Sequence, residues 1–143
     1  MVTARGLRLI PAGIALGCVS LSLASCATSI GQGPQTQLEI TIRDDGSEIS
    51  QQYSLECTGE QAAESSTLPN ASKACLQLEL EPGAIAGEVD PQEICTEIYG
   101  GPQRAEISGI LHGETVRTSF SRHNGCAIDR WDAASFLLGS VKT

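Results

Sequence analysis

Leu38, Ile40 and Ile42 alternate with Glu39 and Thr41, the period-two pattern of a strand with one face buried. A first strand is therefore predicted over residues 37–43. Asp44-Asp45-Gly46-Ser47 reads as a turn, because Asp bonds to its local backbone and Gly supplies positive φ. The return strand is expected over 49–57, with Ile49, Tyr53, Leu55 and Cys57 on one face. Ser50, Gln52, Ser54 and Glu56 take the other, which completes a hairpin.

Residues 58–69 are polar and read as a surface loop. Asn70 is placed to cap a helix over 71–80, with Ala74, Cys75 and Leu78 on one side at helical spacing. Pro82-Gly83 ends it. Residues 83–93 look loop-like and acidic. After Gly100-Gly101-Pro102 a second hairpin is expected. Ala105, Ile107 and Leu111 share a face in strand 104–111, and Val116, Thr118 and Phe120 share one in 115–121. His112-Gly113 is the tight turn between them. Asn124-Gly125 caps a short helix through about residue 131, and 134–138 reads as a closing strand. The sum is an α+β domain with an antiparallel sheet. Aromatic residues are only 3% of the chain, so aliphatic side chains must fill most of the core.

The first 26 residues follow another pattern. Arg5 and Arg8 precede an apolar run from Leu9 to Ala24, shorter than the about 20 residues a membrane-spanning helix needs. That is the shape of an export signal. Leu23-Ala24-Ser25-Cys26 resembles a bacterial lipobox, which would place a diacylglyceryl group on the Cys26 thiol as a two-chain anchor. The alternative is plain cleavage after Ala27, with Ser25 and Ala27 as the small residues. Either route removes Cys18. Residues 27–37, rich in Gly, Ser, Thr and Gln, would be a flexible tether, and 38–140 the folded domain.

Export changes the reading of the cysteines. Cys57, Cys75, Cys95 and Cys126 remain, and an even number in an exported domain implies two disulfides, with three connectivities open. No two of them form the C-x₂-C pair of a zinc site, and no metal or other cofactor is expected. The net charge is −8, and losing Arg5 and Arg8 makes it more negative still. That charge argues against nucleic acid as a partner, because phosphate binding needs clustered Lys and Arg. Trp131 is expected in packing. Arg104, Arg117, Arg122 and Arg130 are too scattered for an anion site and are expected on a solvated face. Catalysis would need a base and a nucleophile. His112 lies in a predicted turn, and a Cys126–His123 pair competes with the disulfide that Cys126 is needed for. The chain is therefore not read as an enzyme.

Ile94-Cys95-Thr96-Glu97-Ile98-Tyr99 is the candidate functional stretch. Together with Pro102, Ile107-Ser108-Gly109-Ile110-Leu111-His112-Gly113, Asn124-Gly125-Cys126 and Ser135-Phe136, in that order, it resembles the Streptomyces-type subtilisin inhibitor family. The likeness runs from about 38 to 138. It implies the pairs Cys57–Cys75 and Cys95–Cys126. It also implies a five-stranded antiparallel sheet flanked by two short helices, often as a homodimer. The implied function is tight, reversible inhibition of a secreted serine protease, of subtilisin-like or Glu-specific type. Residues 94–99 would then be the reactive loop, Glu97 its primary specificity residue and Glu97–Ile98 the scissile bond, with Asn124 supporting the loop from behind.

The chain departs from the family pattern at three points. Thr96 stands where the family usually has Pro, which removes stiffness. Gly100-Gly101 makes the exit one residue longer and is expected to loosen it. Glu97 is less typical than Met or Lys. The competing reading is a cell-envelope lipoprotein that keeps the fold as a binding or structural scaffold.

Overall fold

The computed structural model describes residues 35–87, 90 and 92–140. The expected leader, Cys26 and most of the tether lie outside them. Strands β1 (Thr36–Arg43), β2 (Gln51–Thr58), β3 (Gln61–Ala62), β4 (Arg104–Leu111) and β5 (Glu114–Ser121) form one antiparallel sheet in the order β3-β2-β1-β4-β5. Helices α1 (Ala71–Leu80) and α3 (Gly125–Ala133) accompany it, with two single turns, α2 (Gly83–Ala86) and α4 (Ser135–Leu138). The expected α+β class and five-stranded sheet are both present.

β1 is central because its inward positions are its most apolar. Ile40 lies opposite Tyr53 on one side and Ile107 on the other. Leu38, Ile40, Ile42, Leu55, Ala105, Ile107, Leu111 and Phe120 are buried. α1 lays Ala74, Cys75 and Leu78 against this layer. Cys57 and Cys75 are joined (S–S 2.06 Å) and only 2% and 0% exposed, so this bridge ties β2 to α1 from within the core. Among the described residues no helix is long and apolar enough to cross a membrane.

Five expectations are corrected here, while the expected Asp45 turn stands. Ile49 is 57% exposed and lies outside the ladder, because Ser50 closes the hairpin by donating both its N–H and its Oγ to the Ile42 carbonyl. Asp45 forms the turn itself. The Ser47 and Glu48 N–H groups donate to its carboxylate and hold it below its ordinary pKa. Asn70 caps α1 without its side chain. Its backbone is left-handed (φ 57°), and only its carbonyl bonds, to the Ala74 N–H.

Segment 134–138 is a helical turn rather than a closing strand. Trp131, Ala134 and Leu138 are buried at helical spacing, and Trp131 Nε1 donates to the Gly139 carbonyl (3.3 Å). The fifth strand comes instead from Gln61–Ala62, inside the segment read as loop. The acidic segment after α1 likewise holds α2. There Ile85 is buried and its carbonyl accepts from Thr118 Oγ1 (2.6 Å).

The second hairpin turns through two positive φ values, 50° at His112 and 85° at Gly113, as a two-residue primed turn requires. Gly109 (φ 141°) is the tightest position in the sheet, since a Cβ there would collide with the Gln37 carbonyl oxygen of β1. Gly109→Ala should therefore cost on the order of 3 kcal/mol or more, seen as a lowered denaturation midpoint. An unchanged midpoint would show that β1 and β4 can separate locally without loss.

Candidate functional site

Residues 94–99 lie between α2 and β4, in chain with neither helix nor strand. An Asp90 turn leads into them: its carboxylate accepts from the Gln92 N–H (2.8 Å) and its carbonyl from the Glu93 N–H (3.2 Å). The loop is then fixed at two shoulders.

The first shoulder is built on α3. Cys95 is bonded to Cys126 (S–S 2.04 Å, Cα–Cα 5.4 Å), and the Thr96 carbonyl accepts from the Gly125 N–H (2.9 Å). Gly125 and Cys126 are the first two residues of that helix. Asn124 starts it in extended backbone, and its Oδ1 accepts from the Ala127 N–H (2.8 Å). Asn124 thus caps α3 and sets the start of the helix to which the loop is fastened. Gly125 packs closely under the loop: a Cβ there would meet Thr96 Oγ1, which would have to turn away.

The second shoulder is a strand end. The Gly100 N–H donates to the Arg122 carbonyl (2.7 Å), and Arg122 Nε donates to the Gly100 carbonyl (3.2 Å). Arg122 is only 5% exposed, which overturns the solvated-face expectation. Its guanidinium lies 5.9 Å above the Trp131 ring and reaches Asp132 Oδ1 at 3.3 Å. The signal was present in the sequence. Continuing the β5 alternation of Val116, Thr118 and Phe120 by one step turns residue 122 inward. Gly100 is thus pinned by two hydrogen bonds, contrary to the expectation for that glycine.

Between the shoulders stand Glu97, Ile98 and Tyr99. Ile98 and Tyr99 are 61% and 67% exposed, and Ile94, just before Cys95, is 98% exposed. Among the described residues none hydrogen-bonds to Glu97, Ile98 or Tyr99, and none pairs with the Glu97 charge. Apolar side chains of this size left in water on a fixed backbone form a surface ready to be buried by something else. A groove of about 620 Å³ opens between α1, β2 and α4, lined by Tyr53, Lys73 and Phe136 among others, but no residue of the loop faces it.

The sulfurs of Cys95 and Cys126 lie within 4.8 Å of a Glu93 carboxylate oxygen. Because they are bonded to each other, neither offers a thiolate to a metal. The same bond removes the Cys126–His123 nucleophile pair, and His123 Nδ1 instead meets Ser121 Oγ at 2.5 Å.

No family model matches the chain, and no curated protein matches it. Seven chains of solved structures do. Among them is Streptomyces caespitosus sermetstatin, in complex with Bacillus licheniformis subtilisin, at 20% identity and a TM-score of 0.47. The match covers 73% of this chain and 97% of that one.

Proposed function

We propose that this domain inhibits a secreted serine endopeptidase by offering residues 94–99 as a substrate that is cut slowly and held. The observation that carries the reading is the pair of shoulders. Cys95 and Thr96 are fixed to the start of α3 and Gly100 to Arg122, while Glu97, Ile98 and Tyr99 project without partners. An extended loop fixed beforehand loses little conformational entropy on binding, so its contacts appear as affinity. Interfaces of this kind bury roughly 1,600 Å² and reach high affinity.

Glu97 is the specificity residue in this reading, and Glu97–Ile98 the bond presented. A carboxylate taken into an apolar pocket unpaired costs several kcal/mol. The fitting target is a protease whose pocket offers a cation or hydrogen-bond donors, with a roomy subtilisin pocket as the weaker host. Thr96 lacks the stiffness of a proline, but its carbonyl is held by the Gly125 N–H, and Asn124 supports the loop by holding the helix start in place. Export, and an anchor at Cys26, would bring the loop to the compartment where such proteases act.

The test is titration of the disulfide-bonded protein against subtilisin and against a Glu-specific serine endopeptidase. Stoichiometric inhibition with slow clipping confined to Glu97–Ile98 is expected, stronger for the Glu-specific enzyme. Rapid cleavage, or indifference to both enzymes, would leave the scaffold reading in its place.

A further inference from the structure

We propose that Arg122 is a positioning residue that retains the amine side of the Glu97–Ile98 bond, as a second latch beside the Cys95–Cys126 bridge. This rests on the inhibitor reading above. The two latches hold opposite sides of that bond. The bridge and the Thr96–Gly125 bond grip the chain just before Glu97, which is the acyl side. Gly100 is the first gripped residue after it, and Arg122 takes both of its backbone groups.

The side chain suits this task. Its guanidinium is buried between the loop and the core, above Trp131, with Nε on the Gly100 carbonyl and Nη1 on Asp132. A planar fork is needed to serve two acceptors at once. Gly100 packs closely against the side chains around this grip. A Cβ there would lie 2.8 Å from Ile128 Cδ1 and 3.3 Å from Arg122 Cβ.

The chemistry shows why this side matters. In the cleavage step the Glu97 carbonyl carbon transfers from the Ile98 nitrogen to the hydroxyl oxygen of the protease serine. The nitrogen takes the proton and leaves as an amine. Religation is the reverse: the amine attacks the acyl carbon, and the serine recovers its proton. If the amine stays within a few ångströms, religation outruns the entry of water. The disulfide spans the cut, with Cys95 before it and Cys126 after it, and so keeps the two fragments joined; but it fixes residue 95 against α3 and not residue 98 itself. Within the described structure that task falls to Gly100 and Arg122.

Arg122→Met removes the guanidinium and keeps the apolar stem over Trp131. The charge it leaves on Asp132 is on an exposed side chain, so folding should survive. Losing a charge-assisted hydrogen bond should speed net clipping at Glu97–Ile98 by about tenfold. Exchange of the Gly100 amide should quicken by a similar factor, while the Gly125 amide, on the other shoulder, keeps its protection. Arg122→Lys should fall between the two, because an ammonium cannot serve both acceptors in the same plane. Trp131 fluorescence and the thermal midpoint report the integrity of the fold.

Unchanged clipping together with unchanged Gly100 exchange in a folded Arg122→Met protein would overturn the proposal. If that variant does not fold, Asp132→Ala decides. Released from Asp132, the fork should loosen its hold and Gly100 exchange should still quicken, by about threefold; no change would overturn the proposal. The exchange measurement needs no protease. Should the protein prove not to inhibit, Gly100 exchange still decides whether Arg122 anchors the loop, so failure of the latch and failure of the inhibitor reading remain distinguishable.

Discussion

On the proposed inhibitor reading, replacing Cys95 and Cys126 together by serine should abolish tight inhibition and leave a folded protein. The two bridges do different work. Cys57–Cys75 is sealed in the core, whereas Cys95 and Cys126 are half-buried at the loop base. Loss of the loop bridge removes about 3 kcal/mol of unfolded-state restraint, and the sheet, α1 and the core bridge remain. The loop loses more. It keeps one backbone bond at Thr96 and the Gly100 grip, but residues 94–97 regain conformers that binding must freeze again. At about 1 kcal/mol or more per backbone residue, the complex should weaken by roughly 10³-fold. The variant should also be cleaved quickly at Glu97–Ile98, where slow cleavage is expected of the parent. The inhibition constant and the mass of the cleaved product, read beside the thermal midpoint, check this. An unaltered inhibition constant would mean that the bridge does not shape the binding surface.

The sheet was largely legible because its signal is a side-chain alternation that burial enforces. In β4, Ala105, Ile107 and Leu111 face the core as expected, and the strand ends where His112 and Gly113 adopt positive φ. β3 was not legible, since two residues cannot display a period. Phe136-Leu137-Leu138 misled because a short apolar run fits a strand or a helical turn equally well, and the choice is made by contact with Trp131 and Gly139. The loop announced itself by its cysteine and by likeness to a family. Its anchorage did not, because that is made by backbone groups of Thr96, Gly100, Gly125 and Arg122, and backbone groups are the same in every residue. Arg122 was hidden for a related reason: a charged residue is assumed to face water. Here two acceptors and an aromatic face meet it inside.

On the same proposed reading, Glu97→Lys should redirect the domain to trypsin-like enzymes without altering the fold. Glu97 is exposed, makes no hydrogen bond and has no ionic partner among the described residues, so nothing in the domain depends on its charge. The substitution therefore changes recognition alone. A lysine entering a pocket floored by a carboxylate gains a charge-assisted pair, where the parent glutamate would face a like charge there. Each arrangement is worth about 2–5 kcal/mol in a desolvated site, so the preference between trypsin-like and Glu-specific enzymes should reverse by at least about 10³-fold in each direction. Both shoulders are untouched by the change, so clipping should remain slow and should move to the Lys–Ile98 bond. Inhibition constants of the parent and Glu97→Lys proteins against one enzyme of each type decide the matter. If the variant gains nothing toward trypsin while its two shoulders stay protected from exchange, residue 97 does not enter the pocket. The bond offered to the protease would then have to lie elsewhere on the loop.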